Sequence, residues 1–138
     1  MLGNTIVAKN TASSSGPDVG GLVTSQGYNL VGDTSGATIT ATTGDQFGNS
    51  AAPLDPLLGP LQDNGGPTQT QALLFGSPAI DKGKNMATNP NNNNSPILTD
   101  QRGFTRPYDD PTIQNATGGD GSDIGAVELQ GLVVNSTA

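Results

Sequence analysis

The apolar runs of this chain are short, rich in β-branched residues, and broken each time by Gly, Asn or Ser, so short strands are the element it can form. Asn4-Thr5-Ile6-Val7-Ala8 reads as a strand ending at Lys9-Asn10. Asp18-Val19 and Leu22-Val23-Thr24 are strand-like on either side of Gly20-Gly21, and Tyr28-Asn29-Leu30-Val31 is closed by Gly32-Asp33. Thr38-Ile39-Thr40-Ala41-Thr42 alternates polar and apolar residues, the period-two pattern of a strand with one buried face. No segment carries a helical stripe. The nearest, Gln69 to Phe75, is too short and stops at Gly76-Ser77-Pro78.

Such strands need cohesion from somewhere other than a bulky core. Leu, Ile, Val and Phe make up 28 of 138 residues, close to the ~20% below which chains tend towards disorder. Disorder usually also needs high net charge, and here it is only −7. Gly, Asn, Thr and Ser dominate and Trp is absent, a mix suited to thin, repetitive β architectures held by backbone ladders. Ile6-Val7-Ala8-Lys9-Asn10 is echoed by Leu30-Val31-Gly32-Asp33-Thr34 at an offset of 24, a spacing fit for one turn of a solenoid.

The expected fold is all-β: a short right-handed parallel β-helix with a loop-rich C-terminal cap. Residues 1–50 are expected to form the coils. Residues 51–138 are expected to form a Pro/Gly-rich loop region and the cap strands of the same domain. Turns at Asp55-Pro56, Gly59-Pro60 and Asn64-Gly65-Gly66-Pro67 fill its first part, with Leu54, Leu57, Leu58 and Leu61 spaced as anchors onto an apolar seam. Residues 85–96 read as a low-complexity polar loop, followed by a last strand set at 123–129 with Leu132-Val133-Val134 behind it.

Several function classes are disfavoured. Nucleic-acid binding needs clustered cations, whereas Lys9, Lys82, Lys84, Arg102 and Arg106 are scattered over an acidic chain. No apolar run approaches the ~18 residues of a membrane span. Met1-Leu2-Gly3-Asn4 lacks the basic start and apolar stretch of a secretory signal, so a mature product, a fragment or a differently exported chain is expected. The absence of Cys and His removes most transition-metal sites and every His-based triad.

Four stretches carry a family resemblance: Asn4 to Ala8, Gly27 to Gly32, Asp55 to Gly83, and Asp100 to Pro107 together with Asp123 to Glu128. Asp63-Asn64-Gly65-Gly66-Pro67-Thr68 and Gly76-Ser77-Pro78-Ala79-Ile80-Asp81 are the most specific parts. In these residues the chain resembles the C-terminal coils and cap of bacterial right-handed parallel β-helix surface proteins of the choice-of-anchor type. The resemblance implies a few coils and a cap, exported to the cell surface, and no defined enzymatic activity. The chain departs from the family at Gln71, Phe75 and Ser122, where His, Pro and Cys are frequent, and in having far fewer coils.

Candidate sites follow from chemistry. Arg102 and Arg106, with Asp100, Asp123 and Glu128, read as a structural cap in which each guanidinium forks onto a carboxylate or loop carbonyl. An anion or sugar-acid site is the competing reading of the two arginines. Gly118-Gly119-Asp120-Gly121-Ser122-Asp123 matches the start of a calcium-binding nonapeptide, which makes calcium on Asp120 and Asp123 the one metal reading beside a plain Gly turn. A glycosidase would need paired carboxylates, for which Asp109, Asp110, Asp123 and Glu128 are the candidates, and aromatic platforms, for which Tyr28 or Tyr108 would have to serve.

Asn10, Asn29 and Asn49 could stack as a ladder at coil turns. Three glycosylation sequons, at Asn93, Asn115 and Asn135, would matter only in a glycosylating host, and chance matches are expected in an Asn- and Thr-rich chain. The first coil, at Thr5, Ile6 and Val7, presents unpaired backbone and is the expected self-association edge. The expectation is therefore a non-catalytic, extracellular or cell-surface structural module without a cofactor, either a self-stacking fibre subunit or the end of an adhesin stalk. Its partners would be copies of itself or upstream coils. The alternative is a carbohydrate-binding or carbohydrate-cleaving β-helix with a surface polysaccharide as partner.

Overall fold

The computed structural model describes residues 1–86, 88–89 and 95–131. Among them are nine short strands and no helix, so the described residues are all-β. The expected strand at 132–134, the sequon at Asn135 and half of the polar loop, with its sequon at Asn93, lie outside the described residues.

Five strands in the first third build two parallel ladders. Strands β1 (Ile6–Val7), β3 (Leu30–Val31) and β5 (Gln46–Phe47) form one small sheet in that order. Ile6 faces Leu30, which faces Gln46, and Val7 faces Val31, which faces Phe47. The echo at offset 24 is therefore a true pairing. Strands β2 (Gly21–Val23) and β4 (Ala37–Ile39) make the second ladder, also parallel, with Gly21 opposite Ala37. A parallel bridge joins Leu2 to Ser25. Strand β5 has no strand signature of its own, since Gln-Phe lies between Asp45 and Gly48. It forms because the Asn29 and Val31 carbonyls accept from the Gln46 and Gly48 amides, at 2.7 and 2.9 Å.

The next region holds more strand than its turns suggest. Strand β6 (Leu58–Gln62) pairs antiparallel with β7 (Thr70–Leu73), the segment that came nearest to a helical reading. The register shifts between Leu58 and Leu61, where Pro60 has no N–H to offer the ladder. Leu54 and Leu58 pack on the core, whereas Leu57, Leu61 and Leu74 are exposed. A short antiparallel pair, β8 (Thr88–Asn89) with β9 (Ser95–Pro96), follows.

The expected strand at 123–129 does not form. Three of its backbone donors go to carboxylates instead: Asp123 N to Glu128, Glu128 N to Asp100, and Leu129 N to Asp123. Amides taken by carboxylates cannot serve a ladder, and those of Ile124 and Gly125 go singly to Ala79 and Asn4 on two different segments.

The core is small: Leu30, Leu73, Ala79, Ile80 and Ile124, with Ile6, Ala8, Leu54, Leu58, Ile113 and Leu129 packed against it. It draws on every part of the chain, consistent with a single unit. Ile124 is held there by backbone bonds on both sides, Ile124 N to Ala79 O at 2.9 Å and Gly125 N to Asn4 O at 3.1 Å.

Candidate functional site

The structure gathers Asp100, Arg102, Arg106, Asp123 and Glu128 into one connected network. Arg102 donates through Nε and Nη2 to Asp100 Oδ2 at 2.9 and 2.6 Å, and through Nη2 to the Glu128 carbonyl at 2.5 Å. The Phe104 ring stacks under its guanidinium at 4.6 Å. Asp100 also accepts from the amides of Arg102, Phe104 and Glu128. Burial works to raise the Asp100 pKa, but the Arg102 fork and these amides outweigh it and hold the carboxyl below its ordinary value.

Arg106 is the centre of the second half. Its side chain is 7% exposed and pairs at 2.9 Å with Glu128 Oε1, which is fully buried. It donates also to the carbonyls of Gly125 and Asp123, both at 2.8 Å. Glu128 accepts in addition from the amides of Tyr108 and Asp123. The two Asp123 oxygens are each taken by a backbone amide, Asp81 N at 2.8 Å and Leu129 N at 2.5 Å. Burial pushes Asp123 up to about 6 and Glu128 up to about 7. Asp81 is raised as well, by burial and by the charges of Asp109 and Asp110, although it accepts the Asp110 amide.

Both guanidiniums are engaged inside the fold by carboxylates and backbone carbonyls, which favours the structural reading over an external anion site. The arrangement is a clamp. It fixes a ladder-free segment by charge-assisted bonds, which are stronger than neutral ones. Asn4 couples the clamp to the approach to β1: Nδ2 donates to Asp123 O at 3.2 Å, and Oδ1 accepts from Lys84 N at 2.9 Å. Nothing in the sequence singles out Asn4, which holds a left-handed φ of 48°.

The remaining candidates are not brought together. Asp120 accepts from the amides of Asn85 and Ser122, while Asp123 is turned inward, so their oxygens serve separate backbone donors. No group of three or more metal-ligating side chains occurs among the described residues. Tyr28 is buried and donates its hydroxyl to Thr117 O, so it offers no sugar platform; Tyr108 is partly exposed.

The asparagine ladder is absent. Asn10 bonds Asp18 and Asn49 closes its own turn. Asn29, fully buried, ties together the residues that precede β1 and β5, accepting from Thr5 N at 3.1 Å and donating to Ser25 Oγ and Asp45 Oδ1 at 2.9 and 3.0 Å.

The expected self-association edge lies at one end of the three-stranded sheet. The Thr5 and Val7 carbonyls accept from Leu30 N and Gly32 N, both at 2.9 Å. By strand alternation, the N–H and C=O of Ile6 point the other way, outward. Beside this edge opens a groove of about 480 Å³, lined by Thr5, Ile6, Leu58, Leu61, Leu73 and Ile124 among others, none of them charged.

The chain matches no family model, no curated protein and no solved structure.

Proposed function

We propose that this chain is a non-catalytic structural module of an extracellular bacterial protein: a short right-handed parallel β-helix with a clamped C-terminal cap, which stacks on copies of itself or ends an adhesin stalk. One observation carries the reading. A parallel ladder of three strands ends at β1 with its backbone facing outward, beside an uncharged groove open to solvent. Parallel pairing between strands one coil apart is what winding a solenoid produces, and a solenoid needs its ends covered. The cell-surface setting rests on the family resemblance of the Asp55–Gly83 block and of the Asp100–Pro107 and Asp123–Glu128 motifs.

The titratable groups support a structural role over a catalytic one. Glu128 and Asp123 have the raised pKa values that an acid catalyst uses. Both are buried and bonded to backbone and Arg106, with no route for substrate to either carboxyl. Calcium and a polysaccharide ligand have less support: the Asp123 oxygens are occupied and one of the two tyrosines is internal.

The test is negative-stain electron microscopy of the purified chain at micromolar concentration in neutral buffer. Filaments with a regular axial repeat are expected. Discrete particles of monomer size at every concentration would remove self-stacking and leave only the stalk-end form of the proposal. Release of reducing sugar from a panel of polysaccharides, lost in Glu128→Gln, would overturn the non-catalytic reading.

A further inference from the structure

Both ends of the three-stranded ladder are unfinished, and they differ. At the β1 end the outward pair is the N–H and C=O of Ile6. At the β5 end the Gln46 and Gly48 amides point inward to Asn29 O and Val31 O, so the outward pair is that of Phe47. Among the described residues, neither Ile6 nor Phe47 makes a hydrogen bond to a side chain or to backbone beyond its own sheet. All three strands run the same way. An edge that ends in Ile6 and one that ends in Phe47 are therefore successive rungs of one pattern, offered by the same molecule.

We propose that a second copy of this chain seats its β5 edge against β1, parallel and in the existing register, so that Gln46 and Phe47 of one copy lie opposite Ile6 and Val7 of the next and the Phe47 N–H donates to the Ile6 carbonyl. This inference rests on the reading of the module as self-stacking, and names the two surfaces that meet. Three observations select this occupant. The arriving strand continues the parallel polarity already present between β1 and β3. The groove beside β1 is concave and largely apolar, so a two-fold contact would set two hollows face to face, whereas a head-to-tail contact sets each hollow against a different surface. Its lining is uncharged although the chain carries −7, so two copies meet there without setting like charges against each other. The contact uses different surfaces on the two partners. It does not close, and it adds a copy at each end.

The test is sedimentation velocity on single-edge variants, alone and mixed. Ile6→Pro removes the outward donor at one end and Phe47→Pro the donor at the other, with Phe47→Ala as a control that keeps the N–H. Leu61→Lys places a charge in the groove at a residue already 63% exposed, and serves if Ile6→Pro fails to fold. The wild type is expected to form a concentration-dependent ladder of masses, and each edge variant to stay monomeric. An equimolar mixture of one variant from each end is expected to stop at twice the monomer mass, because only one good edge of each kind remains.

If the wild type assembles but the variants do too, or their mixture stays monomeric, the edge pairing is overturned while self-stacking survives. If the wild type is monomeric throughout, both fall. Amide exchange in the wild type needs no variant: Ile6 and Phe47 are expected to slow at least tenfold on assembly, and unchanged exchange at both in the assembled protein would overturn the pairing.

Discussion

Replacing Arg106 with Met should uncouple the cap from the rest of the fold. Arg106 is the only cation paired with Glu128 among the described residues, and both side chains are nearly or fully out of solvent. The substitution also removes the donors to Gly125 O and Asp123 O. Breaking a buried pair by deleting one partner costs about 3–5 kcal/mol, because the other charge stays desolvated. A domain of this size holds only about 5–15 kcal/mol in total. With a urea m-value of about 2 kcal/mol/M, the unfolding midpoint should fall by roughly 2 M.

The loss should depend on pH. Without the guanidinium that now lowers it, the Glu128 pKa rises further, so the buried carboxyl is protonated through neutrality and the strain is partly relieved in acid. The deficit of Arg106→Met is thus expected to be smaller at pH 5 than at pH 8. The double variant Arg106→Met with Glu128→Gln, which keeps an acceptor for the Tyr108 and Asp123 amides, should recover part of it. A midpoint shift corresponding to less than about 0.5 kcal/mol, the size of an exposed pair, would refute the clamp. So would equal deficits at the two pH values.

The wild type has its own pH profile. Asp123 and Glu128 hold protons more tightly folded than unfolded, so their contribution is complete below about pH 4 and is lost as pH rises through about 6 and 7. Asp45 and Asp100 are lowered and act in the opposite sense, losing their contribution in stronger acid. Calorimetry at constant ionic strength should place the highest melting temperature nearer pH 5 than pH 8; a maximum at pH 8 would contradict the shifts. Asn29→Leu leaves the Thr5 amide without its buried acceptor and strips Ser25 and Asp45 of a shared donor, and should cost about 2–4 kcal/mol in urea unfolding. Gly48→Ala sets a methyl group against the Gly32 carbonyl and the Leu54 amide, and should destabilise by about 1–3 kcal/mol. Millimolar Ca²⁺ should leave the melting temperature unchanged; a rise reversed by chelator would restore the calcium reading of Asp120 and Asp123.

What could be read from the sequence tracks how local its cause is. The pairing of Ile6-Val7 with Leu30-Val31 was legible because both are apolar pairs entering similar turns. Strand β5 was not, because Gln46-Phe47 becomes a strand only through carbonyls that β3 supplies. Residues 123–129 have the apolar residues of a strand, yet the buried carboxylates of Asp100, Asp123 and Glu128 intercept three of the amides that a strand would use. The five cap residues were legible as a group, since so few charges exist to pair with one another. The reach of Asn4 and Asn29 was not, because their partners lie as far away as Asp123 and Asp45.

The central claim is that β1, β3 and β5 are successive rungs of one parallel ladder, and nuclear magnetic resonance of the dilute chain tests it most directly. Slow exchange is expected at the amides of Leu30, Gly32, Gln46 and Gly48, with cross-strand contacts joining Ile6 to Leu30 and Leu30 to Gln46. Rapid exchange at those four amides, or contacts that run antiparallel between the same strands, would contradict it.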